Sequence, residues 1–310
     1  MRKKQLRNIA IICFSAVLFT AALFDCACAE DVVYYDSASE AASELRKAMK
    51  DREGDVTVGV IKDVDQDGLK KLIRLLLKKA VKHTGVPDEG DYINFQYGRY
   101  DASAKTESVN GKMGVVVNFK LSYYDSAGQE DELDSKMDEV LSSLDLEGKS
   151  DYEKLVAIHD WLCENVEYDS AGGDDLRRTA YDAIVNGHAV CQGYSNALYR
   201  MLLEAGVDNR IIFGEGVDNS GARMAHTWNI VDLYGKYYYV DVTWDDSTGS
   251  LDYFLRPAGD FTDSHIAGDE YAADFFTKKY PVSGEEFTFD VGKPNAAVIS
   301  CAAKMAEALS

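Results

Sequence analysis

Positive charge is in short supply in this 310-residue chain: 33 lysines and arginines stand against 53 aspartates and glutamates, a formal charge of −20. A surface so acidic repels phosphate backbones, and no basic stripe interrupts it, which argues against nucleic-acid binding. Cysteine is scarce too. Of six, Cys13, Cys26 and Cys28 lie in the first 29 residues, leaving Cys163, Cys191 and Cys301. Three is an odd number, so in an exported chain at least one thiol stays free unless chains cross-link, and Cys191 is the candidate. A Cys163–Cys301 disulfide is compatible with that count. Metal-ligand spacing is missing as well: His188 precedes Cys191 by three residues, but no second Cys/His pair of zinc spacing accompanies it, so neither metal nor cofactor is expected. Asp63-x-Asp65-x-Asp67-Gly68 offers oxygens at positions one, three and five of a calcium hand. Position twelve, however, is Arg74 in place of a bidentate Glu, and position nine is Lys71. We read that stretch as a helix cap.

Long apolar runs are confined to one place, Ile9 to Phe24, broken only by Ser15 and Thr20. Arg2, Lys3, Lys4 and Arg7 precede it and Ala27-Cys28-Ala29 follows, the order of a secretory signal with cleavage before Glu30. An uncleaved anchor and lipidation at Cys26 are the alternatives, the latter opposed by Asp25. The expected product is secreted or cell-surface, without stable membrane insertion after cleavage, and carries a formal charge of −23.

Chemistry concentrates downstream, in Gly187-His188-Ala189-Val190-Cys191-Gln192-Gly193-Tyr194-Ser195, Ala225-His226-Thr227-Trp228-Asn229 and Val240-Asp241-Val242-Thr243-Trp244. After Cys191, apolar Tyr194, Ala197, Leu198, Met201, Leu202 and Ala205 recur at steps of three and four until Gly206, the pattern of one amphipathic helix opened by Cys191. Helix starts gather unpaired N–H groups and positive dipole, which favour a thiolate and can receive an oxyanion. A neutral thiol, of pKa roughly 8.5, needs such help to act as a nucleophile. Thr227 to Leu233 and Lys236 to Trp244 read as a hairpin around Tyr234-Gly235. In that register Leu233 faces Lys236, His226 falls opposite Thr243, and Asp241 shares a sheet face with His226. A carboxylate so placed orients an imidazole and leaves its other nitrogen for the cysteine. Trp228 and Tyr239 share that face and are candidates to shape a cleft. Tyr181 and Gln192 are candidate polar helpers for the oxyanion. His159 reads as a core residue and His265 as a structural residue in a polar loop.

Upstream, Ser37-x-x-Glu40 and Ser150-x-x-Glu153 are capping boxes, the first ahead of a helix through about Lys50. Val56 to Ile61 reads as a strand, Leu69 to His83 as a helix, and Tyr92 to Ala104 with Lys112 to Tyr124 as a hairpin around Asn110-Gly111. Leu251 to Leu255 reads as a strand and Asn295 to Leu309 as a closing helix. The expected organisation is a signal peptide over 1–29 and an N-terminal α+β domain over 30–125. A linker helix over 126–149, a core over 150–255 and a C-terminal extension packing on it over 256–310 complete the order.

Cys191-Gln192-Gly193-Tyr194-Ser195, Gly214-Glu215-Gly216, His226-Thr227-Trp228-Asn229 and Tyr238 to Asp245, with Ile158-His159-Asp160-Trp161-Leu162 upstream, resemble the transglutaminase-like superfamily of papain-type cysteine enzymes, and within it bacterial secreted members. The resemblance implies an α+β core with the nucleophile at a helix N-terminus packed on an antiparallel sheet. It also implies roles: Cys191 as nucleophile, His226 as general base and acid, Asp241 as orienting residue. The implied reaction is acyl transfer on a protein or peptide amide through a thioester, leaning to hydrolysis over cross-linking. Nothing matches the additional β-sandwich domains of the large animal enzymes. The alternative is a non-catalytic cell-surface binding module that retains the fold.

Overall fold

The computed structural model describes residues 32–169 and 173–288. The expected signal peptide, Cys301 and the helix expected over Asn295–Leu309 lie outside them. The fold is α+β, and its contacts divide the chain into two compact units, Met1–Glu130 and Asp131–Ser310. No helix among the described residues is long and apolar enough to cross a membrane.

In the first unit, β1 (Tyr34–Tyr35), β2 (Asp55–Ile61), β3 (Tyr97–Val109) and β4 (Lys112–Tyr123) form one sheet in the order β1-β2-β4-β3. Helices α1 (Ala38–Lys50) and α2 (Gln66–Ala80) bury Ala41, Leu45, Met49, Leu69, Leu72, Ile73 and Leu76 with Val58, Val60, Val115, Val117 and Phe119 of the sheet. The Ser37 box forms as its spacing predicts, with the Ser37 hydroxyl accepting from Glu40 N and Glu40 answering at Ser37 N. Asp65 caps α2 by accepting from Gly68 N at 2.8 Å, the cap its spacing suggests. The hairpin turns at Asn110-Gly111, both with positive φ. Tyr92 does not start its first strand: Asp91–Asn94 forms a short helix, α3, and pairing begins only at Tyr97.

Helix α4 (Ala127–Ser143) runs across the division and buries Leu133, Met137 and Val140. The second unit continues with α5 (Asp151–Asn165), capped by the Ser150 box, then β5 (Glu167–Tyr168), a 3-10 turn at Asp175–Arg178, a π-helical turn at Asp182–Asn186 and β6 (His188–Ala189). Next come α6 (Cys191–Glu204), β7 (Asn209–Val217), β8 (Arg223–Leu233), β9 (Lys236–Val240) and α7 (Val242–Thr248). Short α8 (Ala258–Phe261), β10 (His265–Ala267), α9 (Asp269–Ala272) and α10 (Asp274–Thr277) close the described chain. Strands β10-β7-β8-β9 form an antiparallel sheet. Trp228, Ile230, Ile212 and Tyr237 on it pack with Phe261, Phe276 and Tyr280.

Three expectations are corrected here. Leu251 to Leu255 is not a strand; just after it, Arg256 makes an isolated bridge with Tyr239. The second hairpin strand stops at Val240, so Thr243 sits in a helix and does not face His226. Helix α6 is buried nearly all round from Gly193 to Leu203, not along one stripe. Polar side chains on it find partners: Ser195 with Thr227, Asn196 Nδ2 with Arg178 O, and Arg200 with Asp134 at the surface. Such satisfaction is what lets a polar group leave water without a large cost.

Candidate active site

Cys191 opens α6 because the chain before it is extended and tied down. Val190 is extended at the N-cap, offers no side-chain cap, and receives the first turn on its carbonyl from Gly193 and Tyr194. Its own N–H donates to Arg177 O at 2.9 Å. Arg177 in turn pairs with Asp169 and Asp182, which holds the 3-10 turn beside the helix start. Gly193 is needed for this approach, since a Cβ there would lie 2.6 Å from Arg177 O and 2.8 Å from the Ala189 methyl. With no capping side chain to occupy it, the positive end of the α6 dipole acts on the sulfur.

The imidazole comes from β8. His226 pairs with Gly214 of β7, and that partner must lack a side chain: a Cβ at Gly214 would lie 2.1 Å from Ile266 O of β10 and 2.8 Å from Trp228. A Cβ at Gly216 would press within 2.9 Å of Trp244 and 3.3 Å of His226 itself. The bare Gly214-Glu215-Gly216 strand thus leaves room for β10 on one side and for the histidine on the other.

Asp241 reaches His226 from a helix cap instead of a strand. Its side chain accepts from Trp244 N at 3.2 Å and starts α7, so the cap overrides the β propensity of Val242-Thr243-Trp244. The other carboxylate oxygen, Oδ2, lies 2.6 Å from His226 Nε2. With Nε2 committed to Asp241, Nδ1 is the nitrogen left for the Cys191 thiol, which hydrogen-bonds to this ring and to Thr227.

The electrostatics follow from that contact. Burial pushes the Cys191 thiol up, but the hydrogen bond and charge of His226, with help from Thr227, carry it below the ordinary thiol value. Burial also presses His226 down, and the Asp241 charge and hydrogen bond, followed by Cys191, lift it to about 10. Burial raises Asp241, whereas His226 and then His265 bring it down to about 2. All three shifts favour a thiolate, an imidazolium and a carboxylate in sequence.

His265 is a correction to the reading of a polar loop. It lies on β10, paired with Gly216, is buried, and places Nε2 2.9 Å from the same Asp241 oxygen that His226 contacts. Isolated 24 residues from Asp241, it carries no local motif, and only the pairing of β10 with β7 could have revealed it. His226, Asp241 and His265 form a compact set of possible metal ligands. Two atoms ligating zinc tetrahedrally at about 2.0–2.1 Å stand about 3.3 Å apart. The 2.6 and 2.9 Å separations here are instead N–H···O hydrogen bonds onto a carboxylate.

The other expected helpers disperse. Gln192 follows Cys191 in α6 and is half-buried. Trp228 is no cleft wall: it is 1% exposed and packs beneath His226 and His265. Tyr239 stacks on Phe261 and lines a cavity of about 270 Å³ with Ile212, Ile230 and Tyr271. It pairs with Ile230, four residues from His226, hence roughly 13 Å along the strand from the chemistry. Tyr181 gives its hydroxyl to Glu132 Oε2 at 2.9 Å, which removes it from the oxyanion position. Tyr168, not anticipated, stands close enough to the Cys191 and Asp241 charges for them to raise its phenol further after burial has done so. His159 is buried as expected, with Nε2 3.1 Å from Asp245 Oδ2, and so fastens α7 to α5. Cys163 is half-buried with Sγ 3.9 Å from His159 Nδ1.

Residues 139–242 match the sequence model of the Transglutaminase-like superfamily, so the segment holding Cys191, His226 and Asp241 is a transglutaminase-like domain. Human kyphoscoliosis peptidase is 33% identical over 117 residues, covering 34% of this chain and 18% of that protein. The mouse kyphoscoliosis peptidase is 33% identical over 132 residues, covering 38% and 20%. The matched part therefore spans about a fifth of the length of these relatives. Among solved structures, a TGase aligns over 71% of this chain and 61% of its own at 13% identity and a TM-score of 0.32. A proposed cysteine protease from Cytophaga hutchinsonii aligns over 55% and 69% at 13% identity and a TM-score of 0.30.

Proposed function

We propose that this transglutaminase-like domain is a working cysteine acyl-transfer enzyme, exported from the cell and acting on protein or peptide amides. The observation that carries the reading is the linked contact of Cys191, His226 and Asp241, with a 2.6 Å bond from imidazole to carboxylate and the sulfur at a helix start. The Cys191 thiolate attacks the amide carbon, and the oxyanion turns towards the N–H groups of α6. His226 gives its Nδ1 proton to the departing amine as the C–N bond breaks, leaving a thioester on Sγ. An acceptor then adds to the thioester, passing its proton to His226 as the C–S bond breaks, and the ion pair is restored. Asp241 stays ionised throughout and holds the ring.

Water as acceptor makes the protein a protease or amidase, and an amine makes it a cross-linker. Export into water favours hydrolysis. Incubating the full chain with a labelled primary amine and a glutamine-rich protein separates the two. The expected result is new N-termini or glutamate in place of glutamine, with no label retained. Label incorporation without new N-termini would replace hydrolysis with transfer, and no change of either kind, with Cys191 no more reactive than a free thiol, would leave a binding module.

A further inference from the structure

Asp241 orients His226, and a group that orients another needs an anchor other than the group it holds. Its Oδ1 has one, the Trp244 N–H of α7. Its Oδ2 would be fixed by His226 alone were it not for His265, whose Nε2 reaches the same oxygen at 2.9 Å. The far nitrogen of His265, Nδ1, is 2.8 Å from the Ser264 hydroxyl. An ionised carboxylate only accepts, so Nε2 carries a proton; in the uncharged ring Nδ1 is then bare and accepts from Ser264. The ring is stacked on Phe261 with centroids 3.9 Å apart and enclosed by Trp228, Trp244 and Tyr253. Its strand is set by β7, where Gly216 lies opposite His265 and Gly214 admits the β10 backbone.

We infer that His265 is a positioning residue of this site, an uncharged imidazole in its Nε2–H form that pins the Asp241 carboxylate for His226. The inference rests on the acyl-transfer reading above. It gives Asp241 three donors arriving on both oxygens, which fixes the rotation of the carboxylate and keeps it ionised. It also keeps a second positive charge off that carboxylate, whose negative charge is then spent on His226. Burial lowers the His265 ring below the ordinary histidine value, only partly offset by Asp241 and reinforced by the charge of His226, consistent with that assignment. His265 does not touch the reacting atoms; it acts through Asp241.

Two measurements on the full chain test this. Nitrogen-15 spectra of histidine-labelled protein at neutral pH are expected to show His265 protonated at Nε2 and bare at Nδ1. A protonated Nδ1 would overturn the assignment, and this arm needs no substitution and so does not depend on how a variant folds. In the second arm, iodoacetamide alkylation of Cys191 at neutral pH is followed in the parent protein, His265→Phe and His265→Gln. Phe keeps the aromatic packing and removes the donor, so alkylation is expected to slow about tenfold, by analogy with the groups that orient metal-bound histidines. Gln restores an N–H near the Nε2 position and is expected to recover most of the rate. Equal rates in all three would overturn the positioning role while leaving the acyl-transfer reading standing. A parent Cys191 no faster than an ordinary thiol would instead overturn the acyl-transfer reading, and His265 would lose its role with it.

Discussion

Cys191→Ala is expected to abolish turnover of whichever amide the assay above identifies, by about 10⁶-fold, the scale seen when a covalent nucleophile is removed. Folding should survive. The sulfur contributes to a hydrogen-bonded pair at a helix start, not to the packed body of α6, where Tyr194, Ala197, Leu198, Met201 and Leu202 are completely buried. The remaining described thiol is Cys163. It sits on α5 about equally far, 3.9 and 4.0 Å, from the two nitrogens of His159, whose Nε2 is bound to Asp245. Turnover against a titrated amount of folded protein checks the prediction, and an active Cys191→Ala protein would remove the nucleophile from the account.

Asp241→Asn is the second large effect. The amide is nearly isosteric and can still accept from Trp244 N, so α7 keeps its start. What disappears is the charge opposite His226. Asp241 is what lifts that ring against burial to about 10, so its loss lowers the imidazole pKa. The sign of the pH effect follows: the imidazolium is lost at lower pH than before, and the alkaline limb of the pH–rate profile moves down. An Asn that turns its NH₂ towards His226 also forces the wrong tautomer. The expected fall in kcat is about 10⁴-fold, as for a triad carboxylate elsewhere. A change under tenfold, or an unmoved alkaline limb, would mean that the carboxylate neither orients nor charges the ring.

How much of this was legible depended on how local each signal is. The capping boxes at Ser37 and Ser150 and the turn at Asn110-Gly111 rest on residues three apart or adjacent, and the structure forms all of them. The hairpin at Tyr234-Gly235 has the register expected from its two-residue turn, with Leu233 facing Lys236. That register brings Asp241 to His226 even though the strand ends sooner than its aromatic and β-branched residues suggest. The early end was readable in principle, since an Asp three residues before a free N–H is a cap signal, but β propensity masked it. His265 was not legible: its place depends on the antiparallel pairing of β10 with β7, a contact set by tertiary structure. Trp228 and Tyr239 show the limit of face parity. Sharing a face with His226 says nothing about depth, and Phe261 packs on both.

The most direct measurement is the pH dependence of Cys191 alkylation by iodoacetamide, in the parent protein and in His226→Ala. A reactive thiolate is expected below the ordinary thiol value of roughly 8.5, persisting while His226 stays charged. In His226→Ala burial is opposed only by Thr227 and the helix start, so the midpoint should move up. A parent midpoint at that of a free thiol, unchanged by the loss of His226, would contradict the ion pair on which every step depends.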